Sequence, residues 1–277
     1  MTKLRRKAKR PVIGAVAAGA LLTAFLLKDI ISPRTDSGYK DMEGIFAKGV
    51  MTAAIEESPL SCAIRGSDTT GLYYGILKRF AKHHGLQLKL KVVNNLDKAQ
   101  AELQLGGCNI IATGIASTMD ARRTMHLSEP LHTSHAVLVY NKARGLALTS
   151  PYDLGGMEVT LPDGSPYATR INNLGLEIMD TIKVRTVSDE NAYQILCDVD
   201  NDPTITTVCD DKLAAMAADS CKNIAWFTIG FEQNVSFGTD NGAAALNDSL
   251  DSWLRRFKES KDYAELCRRY INIGTRE

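Results

Sequence analysis

The sequence predicts an α/β fold built on mostly parallel sheets, in two successive blocks. Three observations carry this. From Gly49 onward, short β-branched apolar runs alternate with amphipathic helical segments, the pattern of βαβ units. The alternation is seen over residues 49–135 and again over 157–229. The candidate strands run into loops rich in Gly, Ser and Asp, at the carboxyl ends where open parallel sheets bind ligands.

The elements follow in order. Val50 to Ile55 reads as a strand, and Glu56 to Asp68 as a loop with Pro59 and Gly66. Gly71 to Gly85 is a helix with Leu72, Ile76, Leu77, Phe80 and His84 on one face. Leu86, Leu88, Leu90 and Val92 alternate with polar residues, a strand with one wet face. Leu96 to Leu105 is a helix stopped by Gly106 and Gly107, and Asn109 to Thr113 a buried strand. Ala136 to Tyr140 and Met157 to Leu161 are strands; a helix runs from Pro166 to about Met179 with Ser165 as N-cap. Ile182 to Val187 is a strand, and Ser188 caps a helix that buries Ile195, Leu196 and Val199. Thr204 to Val208 is a strand ending at Asp210 and Asp211, before a helix from Leu213 to Ala218. Ile224 to Ile229 is a strand, and Val235 and Phe237 sit in a separate short one. Two closing helices bury Leu246, Leu250, Trp253, Leu254 and Phe257, then Tyr263, Leu266, Cys267 and Tyr270.

The near-neutral net charge of +1 conceals an asymmetry. Residues 1–32 hold seven Lys/Arg and one Asp, leaving 26 Lys/Arg against 31 Asp/Glu in the remainder, net −5. An acidic body argues against a nucleic-acid partner. Six basic residues in Met1 to Arg10 precede sixteen uncharged residues from Val12 to Leu27. This reads as a signal peptide or an uncleaved signal-anchor, with the anchor favoured because no small-x-small cleavage site follows Leu27. A polar linker, residues 33–44, gives reach away from the inner membrane. The body is then periplasmic, either tethered or cleaved and soluble.

Six cysteines permit disulfides in an exported chain. Cys209 and Cys221 flank one helix and are the favoured pair, with buried free thiols the alternative. No C-x-x-C occurs, and no His stands at zinc-ligand spacing to a Cys. His132 and His135 fall on opposite sides of a strand, which argues against a metal pair. Asp198 to Asp202 lacks the spacing and terminal Glu of a calcium loop. No metal or cofactor is expected.

The stretch Gly107 to Leu131 is the most informative. Its strand gives way to Ser117 and Thr118, then to a short helical turn capped by Asp120 that carries Arg122 and Arg123. Hydroxyls and freed N–H groups at a helix start donate to a carboxylate, and a guanidinium clamps it bidentately. The same residues also read as a strand-to-helix connection with solvated arginines.

Together these segments resemble the bacterial extracellular solute-binding proteins of family 3, and within that family the non-catalytic N-terminal domain of the membrane-bound lytic transglycosylase F group. The likeness covers about residues 45–275. It rests on the order and spacing of Gly49-Val50-Met51, Gly71 to Ala81, Leu103 to Ala112, Ser128-Glu129-Pro130-Leu131, Asp153 to Gly156, Gly164 to Tyr167, Thr207 to Asp210 and Gln233 to Phe237. The resemblance implies a two-lobed periplasmic-binding-protein type 2 fold with two hinge crossings, near Ser134–Tyr140 and Glu232–Phe237. Lobe 1 is residues 45–135 plus 236–277, and lobe 2 is 136–235. It also implies a lobe-1 carboxylate site at Ser117, Thr118 and Arg122, and an ammonium acceptor at Asp210, which can equally serve as a helix N-cap. Ser165 and Tyr167 add contacts from the lobe-2 helix start, Tyr73 or Tyr74 an apolar wall, and Glu57 stands in the loop after the first strand. Counting back from Ser128, the family's arginine column falls on Ala121, so Arg122 reaches it only with a one-residue bulge.

The expected function is non-enzymatic binding of a small zwitterionic or peptide-like ligand, an amino acid or muropeptide fragment, in the inter-lobe cleft. The role is transport or sensing, and the implied partner an ABC transporter permease or a cell-wall enzyme. Two other classes remain open. One is a cyclohexadienyl dehydratase-like enzyme on the same fold, which needs a cleft carboxylate as acid or base. The other is a ligand-free regulatory module of cell-wall turnover, with an apolar-filled cleft. The transglycosylase relatives carry a lysozyme-like domain after this one. The sequence stops at Glu277, about where that domain would begin, so no transglycosylase site is expected.

Overall fold

A computed structural model describes residues 40–145, 148 and 150–271. The expected leader and most of the linker lie outside these residues. Among the described residues, no helix is long and apolar enough to cross a membrane. A helix, α1 (Met42–Lys48), begins within the stretch expected as linker. The Asp41 carboxylate accepts from Met42 N and from Leu246 N, fixing this helix onto the closing helices.

The core is one curled sheet flanked by helices. Its strands are β1 (Val50–Ile55), β4 (Gln87–Val92), β5 (Ile110–Ala116), β6 (His126–Leu127), β7 (His132–Asn141), β8 (Glu158–Pro162), β9 (Lys183–Val187), β10 (Thr206–Asp210) and β11 (Ile224–Thr239), and a small hairpin adds β2 (Ala63–Arg65) and β3 (Asp68–Thr70). The order is β4-β1-β5-β11-β7-β10-β8-β9, with β6 beside β11. In the first lobe β1 runs parallel to β4 and β5, and in the second β8 runs parallel to β9 and β10. The two lobes therefore repeat one topology. The chain leaves the central strand for one neighbour through a helix, then returns to the other side through a second helix. These helices are α2 (Leu72–His83) and α3 (Leu96–Gln104) in the first lobe, α5 (Tyr167–Ile178) and α6 (Ala192–Asn201) in the second. Between β5 and β6 lies α4 (Met119–Thr124), and between β10 and β11 lies α7 (Asp211–Ala217).

Two long antiparallel strands, β7 and β11, join the lobes. β11 is one strand of sixteen residues where two short strands were expected. Its residues 224–228 pair with 141–137 of β7, and residues 232–235 pair with 135–132; the register is interrupted between Thr228 and Glu232. Pairing with β7 organises the polar run Glu232-Gln233-Asn234, which has no apolar alternation of its own. At the interruption, Arg170 Nε donates to Ile229 O at 2.9 Å. The closing helices, α8 (Ala244–Lys258) and α9 (Lys261–Tyr270), return to the first lobe, where Tyr270 Oη accepts from Gly71 N at 3.0 Å.

Three local expectations change. Thr118 rather than Asp120 caps α4, accepting from Ala121 N at 3.2 Å. Asn191 rather than Ser188 caps α6, in a reciprocal capping box with Gln194. Ser165 sits one place before the cap position of α5, and its Oγ accepts from Tyr167 N at 3.4 Å. No disulfide is formed among the six cysteines in this structure, and the sulfur beside Cys221 is that of Cys197 rather than Cys209.

Candidate ligand site

Each lobe has a switch point, where the chain departs from the central strand in opposite directions and the loops separate. The two switch points face each other and enclose a cavity of about 80 Å³. The first lobe contributes Glu56, just past β1, and Thr113, Gly114 and Ile115 at the end of β5. The second contributes Pro162 and Asp163 at the end of β8, Ser165 to Tyr167 at the start of α5, and Val208 to Asp210 at the end of β10. Leu96 and Ala192, the first residues of α3 and α6, and Leu213 of α7 complete the wall.

The cavity is acidic. Burial raises the Glu56 carboxyl to about 8, so it holds its proton near neutral pH. Burial also raises Asp210 above the usual carboxylate range, opposed by His132 and Ser134. Asp210 Oδ1 caps α7, accepting from Lys212 N at 2.7 Å and Leu213 N at 3.2 Å, so cap and cavity wall are one residue. Tyr73 and Tyr167 are both held well above the usual tyrosine range, first by burial and next by the charge of Asp210. The start of α5 supplies the opposite polarity, because helix N-termini carry partial positive charge.

Tyr73 packs beneath the cavity. Its Oη lies 3.0 Å from His132 Nε2 and its ring stands edge-on to Phe237. Gly114, at φ +73°, lets the chain pass over this ring; a Cβ there would come within 2.6 Å of Tyr73 Oη. Tyr74 instead packs at the outer side of α2, under Lys78 Nζ. Asp211 anchors the second lobe to the crossing strand, accepting from Ser134 Oγ at 3.0 Å and His135 N at 3.2 Å. Burial pushes Asp211 up, but Lys212 and these donors bring it below the usual carboxylate value.

The lobes touch across the cleft through helix caps. Asn95 caps α3 by accepting from Lys98 N, and its Nδ2 donates to Ser188 O of the other lobe at 2.9 Å. Asn191 caps α6 by accepting from Gln194 N, and its Nδ2 donates to Glu57 O of the first lobe at 3.1 Å. Lys98 Nζ and Asn94 Nδ2 add bonds to Ser188 O and Asp189 O.

Of the residues expected at the site, the structure brings Ser165, Tyr167 and Asp210 together at the cavity, with Tyr73 against its floor. Thr118 and Ser165 line an outer groove of about 470 Å³ with Gln233 and Arg170. Ser117 Oγ is buried without a hydrogen-bond partner, while its N–H donates to Asn234 O. Arg122 is exposed on α4, away from the cavity lining, and Arg123 pairs with Asp120 at the surface. Thr118 caps α4, and on the helix that starts there Arg122 is exposed. Glu57 is exposed in a side groove of about 300 Å³, and the neighbouring Glu56 faces the cavity instead. Glu56, Asn95 and Asn191 were missed as site residues. The available signal was the acidic pair directly after an apolar strand, and an Asn before each of two helices.

The sequence profile of bacterial extracellular solute-binding proteins, family 3, matches residues 51–273. Membrane-bound lytic murein transglycosylase F of Ectopseudomonas mendocina is 25% identical over 265 residues, covering 94% of this chain and 54% of that protein. The protein of the same name from Photobacterium profundum is 23% identical over 264 residues, covering 87% and 47%. The chain thus spans about half the length of these relatives. Among solved structures, an amino acid ABC transporter substrate-binding protein from Streptococcus pneumoniae bound to L-arginine superposes with a TM-score of 0.70 at 16% identity, covering 84% of this chain and 98% of that one. An ancestral amino acid-binding protein, a precursor of cyclohexadienyl dehydratase, gives 0.68 at 20% identity, covering 82% and 97%. At these identities the structural likeness establishes the fold, the two-lobed type 2 periplasmic-binding-protein architecture. With its profile matched from β1 to the last helix, the chain belongs to the bacterial extracellular solute-binding proteins, family 3.

Proposed function

We propose that this chain is an exported, non-enzymatic binding domain that encloses a small zwitterionic ligand between its lobes. One observation carries the reading: the cavity at the paired switch points sets the carboxyls of Glu56 and Asp210 against the N-terminal end of α5. An ammonium group meets Asp210, and a carboxylate meets the positive end of the helix with Ser165 and Tyr167. The exposed position of Arg122 leaves the carboxylate to these lobe-2 groups in the closed form. The cavity of about 80 Å³ is smaller than the ~150 Å³ that accepts benzene in an engineered apolar cavity. A ligand larger than the smallest amino acids, such as a muropeptide fragment, therefore needs the lobes further apart. Transfer to a transporter permease or to a cell-wall enzyme, and tethering through the basic and apolar residues 1–32, complete this reading. Titration calorimetry of the purified chain with amino acids and muropeptide fragments tests it. Binding by a small amino acid that is lost in Asp210→Asn supports it, and no heat with any of them overturns it.

A second reading is favoured by Glu56. A carboxyl that keeps its proton near neutral pH beside a small cavity is the acid that a dehydratase needs to protonate a leaving hydroxyl. Turnover of arogenate or prephenate, abolished by Glu56→Gln, would establish catalysis in place of binding.

A further inference from the structure

We propose that Cys197 and Cys221 form a disulfide on export, a covalent staple between α6 and the turn leading into β11. Their sulfurs lie 3.8 Å apart. The two segments are already tied on both sides of the pair. Tyr193 Oη lies 3.2 Å from Ser220 Oγ, one helical turn before Cys197. Asn223 N donates to Asp200 Oδ1 at 2.6 Å, and Asn223 Nδ2 donates to Asp200 O, one turn after it. Tyr193, Cys197 and Asp200 share one face of α6, so the cysteine points at the turn between two fixed contacts. A disulfide needs an S–S distance of about 2.05 Å, a closure that small side-chain rotations supply.

Cys197 is half-buried and Cys221 buried. The thiolate of Cys197 attacks the disulfide of a thiol–disulfide oxidoreductase, giving a mixed disulfide and freeing one oxidant thiol. The Cys221 thiolate then attacks the Cys197 sulfur and frees the second oxidant thiol. The electron pair and both protons lost by the cysteines end on the oxidant. Burial pushes the Cys197 thiol up to about 11, so thiolate is scarce once the fold is complete and the reaction belongs to folding after export. The proposal requires an oxidising compartment, which the family's extracellular description indicates. Cys209 is turned away, its thiol donating to Asp210 O. The staple would fix the helix whose first turn carries the cleft-spanning Asn191.

The full chain is produced by export and, in parallel, in a reducing cytosol. Thiols are blocked with iodoacetamide before intact-mass measurement and peptide mapping. The exported protein is expected to carry four alkylated cysteines out of six and one linked peptide pair joining Cys197 to Cys221. Reduction is expected to lower its Tm by roughly 5–10 °C. Cys197→Ser and Cys221→Ser each lose the link and this sensitivity, whereas Cys209→Ser keeps both. Six alkylated cysteines in the exported protein, or a link through any other cysteine, overturn the proposal. The peptide map is read on the natural chain, so poor folding of a variant does not alter the outcome.

Discussion

Asn95 and Asn191 occupy equivalent places in the two lobes, each capping a helix with its side-chain oxygen and spanning the cleft with its side-chain amide. One side chain thereby stabilises its own lobe and the closed form together. Ser is an equally good N-cap but is shorter. Asn95→Ser with Asn191→Ser is therefore expected to leave Tm nearly unchanged and to shift the ligand-free chain toward an open form. Small-angle scattering would show an increased radius of gyration. The corresponding Ala pair should in addition lose about 1 kcal/mol per cap. An unchanged radius in the Ser pair would mean that closure rests on other contacts.

Gly164 tests closure by another route. It sits at φ +69°, and a Cβ there would come within 2.9 Å of the Asp97 backbone nitrogen of the opposite lobe. Backbone cannot rotate aside, so Gly164→Ala should hold the lobes apart. Ligand affinity is expected to fall at least tenfold, about 1.4 kcal/mol, as read by calorimetry.

Gly114→Ala should act on folding instead. Its positive φ costs about 1–2 kcal/mol for a side-chain residue, and the clash with Tyr73 adds about 1–3 kcal/mol of overpacking. A Tm lower by roughly 5–15 °C is expected. Combining it with Tyr73→Phe, which removes the Oη nearest the new Cβ, should recover part of the loss.

Glu56 sets a pH dependence with a definite sign. Its carboxyl rises from the ordinary 4.5 to about 8, so the folded chain holds the proton more tightly than the unfolded chain. That contribution to stability is fully present below about pH 4.5 and is lost as pH rises through about 8. Glu56→Gln should remove the decline, so the Tm difference between variant and wild type grows from pH 6 to 9.

Asp210 separates its two roles by substitution. Asp210→Asn keeps a capping oxygen for α7 and is expected to retain Tm within a few degrees while losing ligand binding. Asp210→Ala should lose binding and about 1 kcal/mol of stability as well. Unaltered affinity in both would remove Asp210 from the site.

Much of the fold was legible because the pattern was local. The alternation of Leu88 and Leu90 with lysines marks β4, and the apolar stripe from Leu72 to Phe80 marks α2. Other features depend on distant partners. β11 is continuous only because β7 supplies hydrogen bonds to Glu232, Gln233 and Asn234. Among Ser188, Asp189, Glu190 and Asn191, four residues suited to a helix start, the cap went to Asn191. Ser188 O and Asp189 O were taken as acceptors by the opposite lobe. At the candidate site, Asp210, Ser165 and Tyr167 line the cavity because strand ends and helix starts fix their positions. Arg122 was misplaced because its direction depends on where α4 begins, a choice made by the Thr118 hydroxyl.

Among the described residues, the continuity of the sheet through both lobes leaves it with two outer strands, β4 and β9. Each presents unpaired backbone groups along one side, a template for adding a strand from another molecule. Both bear exposed cations, Lys89 and Lys91 on β4 and Lys183 and Arg185 on β9. Glu102 offsets Lys91, and the remaining cations set like charge against like when two copies approach edge to edge. These side chains are therefore expected to disfavour β-stacked association of copies of the protein.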